Sequence, residues 1–551
     1  MSNPAGTLFS SLTRVRPPEA VLFVNGSFRL HASDGRKREA LAVYRGRVLW
    51  AGDAASAREA FPGGVEPEVV DLAGKTALPG FIDSHLHLMN LGLGLRNLQL
   101  SEVKSIAELK ARVSERARSL APGEWIVGRG WDQDYFAEKR YPTKRDLDEA
   151  APGLPVYLTR ACGHIAVLSS KALDIAGITA DTPDPPGGII DRDMYGEPTG
   201  VLRESAQGLA RSKMPGPGDA TMLSATEEGM RYLLSKGITS IHPNDGYGGF
   251  AGTLEVYIKA QADGIPLRVY WDIPFDYMEE VAETPLRTGD GDDYLRVGAI
   301  KMFADGSLGG RTAALEAPYS DDPRNSGILV VPEEELRRRV YKAHSLGMQV
   351  AVHAIGDRAV RVSLEAISDA QSRLPRKSLR HRLVHTQILS PNLITEMRRV
   401  GVVADVQPKF LTTDMRWAQQ RVGPERMRWS YSWHTMLKAG IPLAGGSDSP
   451  VEPPDPLFGV YAAVTRKDMD GCPKGAFYPN ERISVEEAVR MFTVGGAYAA
   501  FEEDQKGSLE PGKLADFVVL SDDPFRVSPE AIKDLEVLMT VVGGEVAYQK
   551  P

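Results

Sequence analysis

The chain has 551 residues, 42% of them hydrophobic and 25% charged, and carries a formal net charge of −8. That length exceeds what one compact core usually holds, so at least two structural units are expected, and the acidic balance argues against a general nucleic-acid surface. The two cysteines, Cys162 and Cys472, exclude a disulfide framework, no apolar run reaches a membrane span, and the first residues hold no apolar signal core; a cytoplasmic protein without a membrane partner is expected.

Residues 1 to about 19 read as a loose leader. Short alternating runs follow, AVLFVNG, EALAVYRGRVLWAG and EVVDLAG, with Asn25-Gly26 and Arg45-Gly46 expected as hairpin turns. These strands are too few to close a core alone. The C-terminus has the same texture in KLADFVVLSDDP and VLMTVVGGEVAY, turning at Gly543-Gly544. The two ends are therefore expected to pair into one small β-sandwich domain, residues 20–75 with 506–551.

From Thr76 short apolar strands alternate with amphipathic helical stretches, the pattern of βα units in a parallel sheet. The candidate strands are TALPGFIDSH, GITSIHPND, PLRVYWDIP, LRVGAIKMFADG, MQVAVHAIGD, HRLVHTQ, VVADVQPKF and IPLAGGSDSP. Eight such strands close into a (β/α)8 TIM barrel, here residues 76–94 and 236–505, with its active site at the C-terminal strand ends. The gap after the first strand is far longer than a crossover needs. Residues 95–235 contain strand-like runs of their own, EWIVGRGWDQ and PVYLTRACGH, and are expected to form a large insertion covering the barrel mouth.

The first barrel strand ends in His85 and His87. Residues two apart on a strand face the same way, so the two imidazoles can offer nitrogen ligands to one divalent metal, or form a polar pair on a solvent-facing strand. The other strand ends supply Lys301, His353, His385 and Asp448, with His242 at the second. The chain has only ten histidines, and chance placement explains this clustering poorly.

The stretches LPGFIDSHLHL, RACGHIAVLSSKAL, PTGVLRE, IKMFADGSLGGRTA, VHAIGDRAV, GGSDSPVEPPDPLFGV and GSLEPGKLADFVVL together resemble the amidohydrolase superfamily, metal-dependent hydrolases on a distorted (β/α)8 barrel. More narrowly, the chain is similar to the branch that includes N-substituted formamide deformylase. The resemblance implies that His85, His87 and Asp448 hold one divalent metal and that His353 and His385 hold a second, with zinc expected and one or two ions bound. It further implies that Lys301 bridges the pair. An ammonium only donates hydrogen bonds, so a ligating lysine requires carboxylation of its neutral amine to a carbamate. Asp448 would be the proton shuttle for a metal-activated hydroxide.

Weaker candidates for substrate contacts are His164 in the insertion, His242, Arg311 and Trp131, the last with Phe136 and Trp271 as further pocket aromatics. The expected activity is hydrolysis of a non-peptide C–N bond, amide, N-formyl or N-acyl, in a small molecule. A lactonase or esterase on the same site is the alternative within the fold, and a non-catalytic regulator or binding protein the alternative outside it. Homodimerisation is left open.

Overall fold

The structure, a computed structural model, describes residues 17–551 except 34, 37, 119, 121, 122, 161–164, 186, 377 and 378. Its central feature is an eight-stranded parallel sheet in strict chain order. The strands are β1 (Phe81–Leu86), β2 (Ile238–Pro243), β3 (Arg268–Pro274), β4 (Leu295–Phe303), β5 (Val350–Ala354), β6 (Arg382–His385), β7 (Val403–Val406) and β8 (Leu443–Gly445). All eight expected strands are present. They are buried almost throughout, because helices cover the outside of a parallel sheet while its inner face fills the barrel.

The intervening helices follow ordinary capping rules. In Pro391–Val400 the Ser390 hydroxyl accepts the Leu393 N–H at 3.3 Å, proline opens the first turn, and Gly401 ends it at φ 76°. Leu393, Ile394, Met397 and Val400, spaced three and four apart, form its buried face. No helix among the described residues is long and apolar enough to cross a membrane.

One refinement concerns the first strand. The continuous run TALPGFIDSH is two strands: Thr76–Pro79 belongs to a terminal sheet and Phe81–Leu86 to the barrel. The break is at Gly80, where an added Cβ would lie 2.3 Å from the Thr239 hydroxyl oxygen. Only glycine allows the chain to pass so close to β2.

The chain ends build two sheets. One runs Arg47–Gly52, Ala40–Tyr44, Ala20–Val24, Glu68–Asp71; the other runs Ser27–Phe28, Thr76–Pro79, Phe517–Leu520, Val537–Val542, Glu545–Gln549. They share one core, in which Val21, Phe23, Leu41 and Val43 meet Phe517, Val519 and Val541. Phe23 and Phe517 pack edge to face at 4.8 Å. Arg45-Gly46 and Gly543-Gly544 are hairpin turns with positive φ at both positions. Asn25-Gly26 is not: the strands on either side of it lie in different sheets, so the left-handed Asn25 (φ 52°) makes a corner between sheets. A bidentate ion pair from Arg268 in β3 to Asp516, at 2.7 and 2.8 Å and fully buried, ties the barrel to this domain.

The residues divide into two compact units, one running to Gly92 and resuming at Thr226–Pro551, the other being Leu93–Ala225. The second has a six-stranded sheet of its own and a core around Leu109, Val113, Ile126, Leu147 and Leu158. Its end falls within the helix Asp219–Leu234, short of the expected residue 235. The second half of that helix belongs to the barrel unit, because Gly229 lies against Leu88 and the Leu234 carbonyl accepts the Thr540 hydroxyl at 2.7 Å.

Candidate metal centre

The site forms where β1 meets β8. The Asp448 N–H donates to the His85 carbonyl at 2.7 Å, and the His87 N–H donates to the Ser449 carbonyl at 2.8 Å. Gly446 permits this approach, since a Cβ there would stand 2.7 Å from the His85 nitrogen. The Asp83 carboxylate fastens both sides, accepting the His85 N–H at 3.2 Å, the Ser447 N–H at 3.0 Å and the Ser447 hydroxyl at 2.6 Å. The seam that closes the barrel thereby holds three of the expected ligands.

His85, His385 and Asp448 each bring a ligand atom to within 4.8 Å of the others, and all three are buried. Asp448 Oδ1 lies 3.3 Å from His85 Nε2 and 3.1 Å from His87 Nε2. The His353 ring stands edge-on to His385 with centroids 4.4 Å apart. The four histidines and the carboxylate therefore converge, with His385 in the middle.

Hydrogen bonds decide which ring nitrogen is free. His385 Nδ1 is 2.7 Å from the Gln407 side-chain oxygen, whose amide nitrogen is occupied by the Asp405 carbonyl, so Nδ1 carries the proton and Nε2 the lone pair. His353 gives its Nε2–H to the Gly306 carbonyl at 3.1 Å, which frees Nδ1. His87 gives its Nδ1–H to the Asn244 carbonyl at 3.0 Å. Burial pushes His85 down to about 3 and His353 down to about 4, and it holds His385 well below its ordinary value, so these imidazoles are neutral at pH 7. Burial is the largest influence on His87 and opposes its charge, but the hydrogen bond to Asp448 and the attraction of the Asp448 and Asp245 carboxylates together raise it. Asp448 is likewise penalised by burial, yet its hydrogen bonds to His85 and His87 hold it well below the carboxylate range.

Lys301 is buried, and its Nζ has no hydrogen-bond partner among the described residues. The Phe303 ring covers it, with Nζ 3.9 Å from the centroid. Burial pulls its amine down to about 8, against the opposing Asp448 and Asp272 carboxylates. A pairing of Lys301 with Asp305 is not seen. Asp305 is occupied by the N–H groups of Ala314, Ile355 and Gly356 at 2.8 to 3.0 Å. A buried donor with no acceptor is costly, and together with the orphaned His85 Nδ1 it suits a site completed by another group. Neutral imidazoles with a carboxylate are the donor set of zinc and similar divalent ions.

The weaker candidates fare differently. His242 is wholly buried against Tyr270, and neither of its ring nitrogens has a hydrogen-bond partner among the described residues. Arg311 gives its Nε and Nη2 to Asp321 in a bidentate pair at 3.2 and 3.0 Å. Trp131 and Phe136 belong to the core of the Leu93–Ala225 unit, and the Trp131 N–H bonds the Leu158 carbonyl at 2.9 Å. Trp271 stacks on Phe250 and gives its N–H to the Asp245 carbonyl at 3.0 Å. These tryptophans are core residues, as large buried aromatics usually are. His164 and Cys162 lie outside the described residues.

Sequence reading passed over the residues that orient the ligands, chiefly Gln407, Asp83 and the Asn244 and Gly306 carbonyls. Only the neighbouring strand end in VVADVQPKF pointed towards Gln407.

Residues 68–548 match the amidohydrolase family model. The chain is 38% identical over 521 residues to YtcJ of Bacillus subtilis (strain 168), whose name assigns it to the amidohydrolases, covering 94% of this chain and 97% of that one. It is 29% identical over 545 residues to N-substituted formamide deformylase of Arthrobacter pascens, covering 96% and 98%. Among solved structures, an uncharacterized metal-dependent hydrolase from Pyrococcus furiosus superposes with a TM-score of 0.76 at 33% identity, over 92% of this chain and 100% of that one. A barrel that gathers neutral histidines and an acid at its closing seam, in a chain so matched along its length, belongs to the amidohydrolase family of hydrolases.

Proposed function

We propose that the protein hydrolyses a non-peptide C–N bond, an N-formyl or N-acyl amide of a small molecule, with one or two zinc ions held by His85, His87, His353, His385 and Asp448 and by a carboxylated Lys301. The observation that carries this reading is the convergence of neutral, pre-oriented imidazole lone pairs on a buried carboxylate. When bound, a divalent ion there lowers the pKa of a water and polarises the scissile carbonyl. Asp448 is ionised at neutral pH, and its Oδ1 faces His85 and His87. Its Oδ2 is left to take the proton of the attacking water and pass it to the departing nitrogen. Gln407 and the Gly306 carbonyl keep His385 and His353 in the tautomers that ligation needs.

Elemental analysis of purified protein should find zinc, and chelation should abolish hydrolysis of N-formyl amines. Asp448→Asn keeps the size of the group but cannot take the proton, so kcat should fall roughly 10²-fold or more. Full amide turnover by metal-free protein, or near-normal kcat in Asp448→Asn, would overturn the assignment.

A further inference from the structure

Several large apolar side chains lie on the loops that leave β4 and β8 at the candidate centre. Phe303 is 46% exposed, Ile328 55%, Val330 50% and Val451 65%. Phe303 ends β4 two residues beyond Lys301, and its ring packs 5.3 Å from the His353 ring as well as on Lys301 Nζ. The segment carrying Ile328 and Val330 runs beside it: Asp305 and Leu329 form a β-bridge, and the Val330 N–H donates to the Ala304 carbonyl at 2.9 Å. A Phe ring half open to water and fixed against two expected ligands is an apolar surface at a polar site.

Two cations at these loops are already paired. Arg311 is paired with Asp321, and Lys409 with Glu452 at 3.0 Å. On the opposite side Phe410 stacks on His385, with centroids 5.9 Å apart and planes at 17°. Aromatic rings thus border the centre at His353 and at His385.

We propose that Phe303 is a specificity-determining residue, and that with Ile328 and Val330 it forms the wall on which an uncharged aryl group of the substrate rests beside the scissile bond. The wall is built from the barrel, not from the aromatics of the insertion. An edge-to-face or offset contact with Phe303 would favour a flat ring over a methyl group by more than its size alone. The proposal rests on the amide-hydrolase reading for the substrate's bond, but the apolar preference is a property of the wall and can be measured without turnover.

The probes are benzohydroxamate and acetohydroxamate, which share a metal-chelating head and differ in the group beside the carbonyl. Their binding to zinc-loaded protein is measured by calorimetry, with metal content recorded for every variant. Wild type should bind the benzo form at least roughly tenfold more tightly, the scale that one well-fitted apolar group contributes to discrimination. Phe303→Ala should bring that ratio within about threefold. Because Phe303 also covers Lys301, Val330→Lys is the second variant. It touches no expected ligand, and it should shift preference towards 4-carboxybenzohydroxamate over benzohydroxamate. Unchanged ratios in both variants at full metal content would overturn the proposal. So would a Val330→Lys protein that loses a concentration-dependent dimer in sedimentation but keeps its ligand ratio, since the strip would then be a protein interface. A panel of formanilide and phenyl acetate tests the bond separately: failure to cleave any amide refutes the amide reading while the hydroxamate ratio still judges the wall.

Discussion

Arg382, in β6, is the sharpest point at which to test the design of the barrel. It is fully buried and cross-links the interior: Nη1 donates to Asp272 at 3.0 Å, Nε to Asp405 at 3.1 Å, and Nη2 to the Ser84 carbonyl at 2.6 Å. Asp405 in turn accepts the Ser84 hydroxyl at 2.6 Å, and Asp272 accepts the Ala299 N–H at 3.1 Å. Strands β1, β3, β4, β6 and β7 are joined one layer below the ligands. Arg382→Met would strand two buried carboxylates, a change that costs about 3–5 kcal/mol when one partner of a buried pair is removed. The loss should depend on pH. Burial already raises Asp272 to about 6, against the lowering effect of Arg382, and also raises Asp405. Without the guanidinium both carboxyls rise further. A folded-state carboxyl pKa above the unfolded value of about 4 makes stability fall as pH climbs through that interval. The variant should therefore lose more at pH 8 than at pH 5, where its carboxyls can protonate. Urea unfolding at both pH values, with chelator present so that metal binding does not enter, reads the difference. Replacing Asp272 and Asp405 by Asn in the Arg382→Met background should recover part of the loss. A cost below about 1 kcal/mol, or one equal at the two pH values, would refute the reasoning.

Two further outcomes are expected. Gln407→Leu removes the acceptor that fixes the His385 tautomer, so zinc affinity should fall roughly 10- to 100-fold in a competition titration while the fold persists. His381 accepts the Val350 N–H at Nδ1, at 3.1 Å, and gives its Nε2–H to His344 at 2.9 Å; burial, with His344 second, holds it down to about 3. The unfolded imidazole takes its proton near pH 6.5 and the folded one only near 3, so stability is complete above the first value and drains at about 1.4 kcal/mol per unit below it. His381→Gln should flatten the unfolding free energy between pH 6 and 4 by about that slope, and an unchanged slope would show that His381 is not the titrating group.

Much of this molecule was legible in advance because it follows from period and burial. The eight barrel strands are short, apolar and nearly all buried, which is how parallel strands read in sequence, and His85 and His87 declared themselves by their two-residue spacing. What escaped depends on partners distant along the chain. Arg382 reads as one more surface cation until Asp272 and Asp405 arrive from other strands. Asn25-Gly26 has the composition of a hairpin turn but feeds two different sheets, a fact written in strand pairings and not in the turn. The break at Gly80 hides inside a continuous apolar run because the clash that demands glycine comes from Thr239.

His385 shows how local rule and site can disagree. Along β6, Val384 packs among the interior alanines Ala299 and Ala351, so strict alternation would turn His385 away from the interior. Its ring nevertheless lies with His85 and Asp448. The backbone explains this: His385 and Thr386 adopt φ of 79° and 46°, in the left-handed region that costs a non-glycine residue about 1–2 kcal/mol. The strand ends by twisting one residue out of register with its own pattern, and the Gln407 bond and the stacked Phe410 ring hold the result. Strain of that kind, held by surrounding contacts at the middle of the ligand set, is where a folded chain places a residue for chemistry and not for packing.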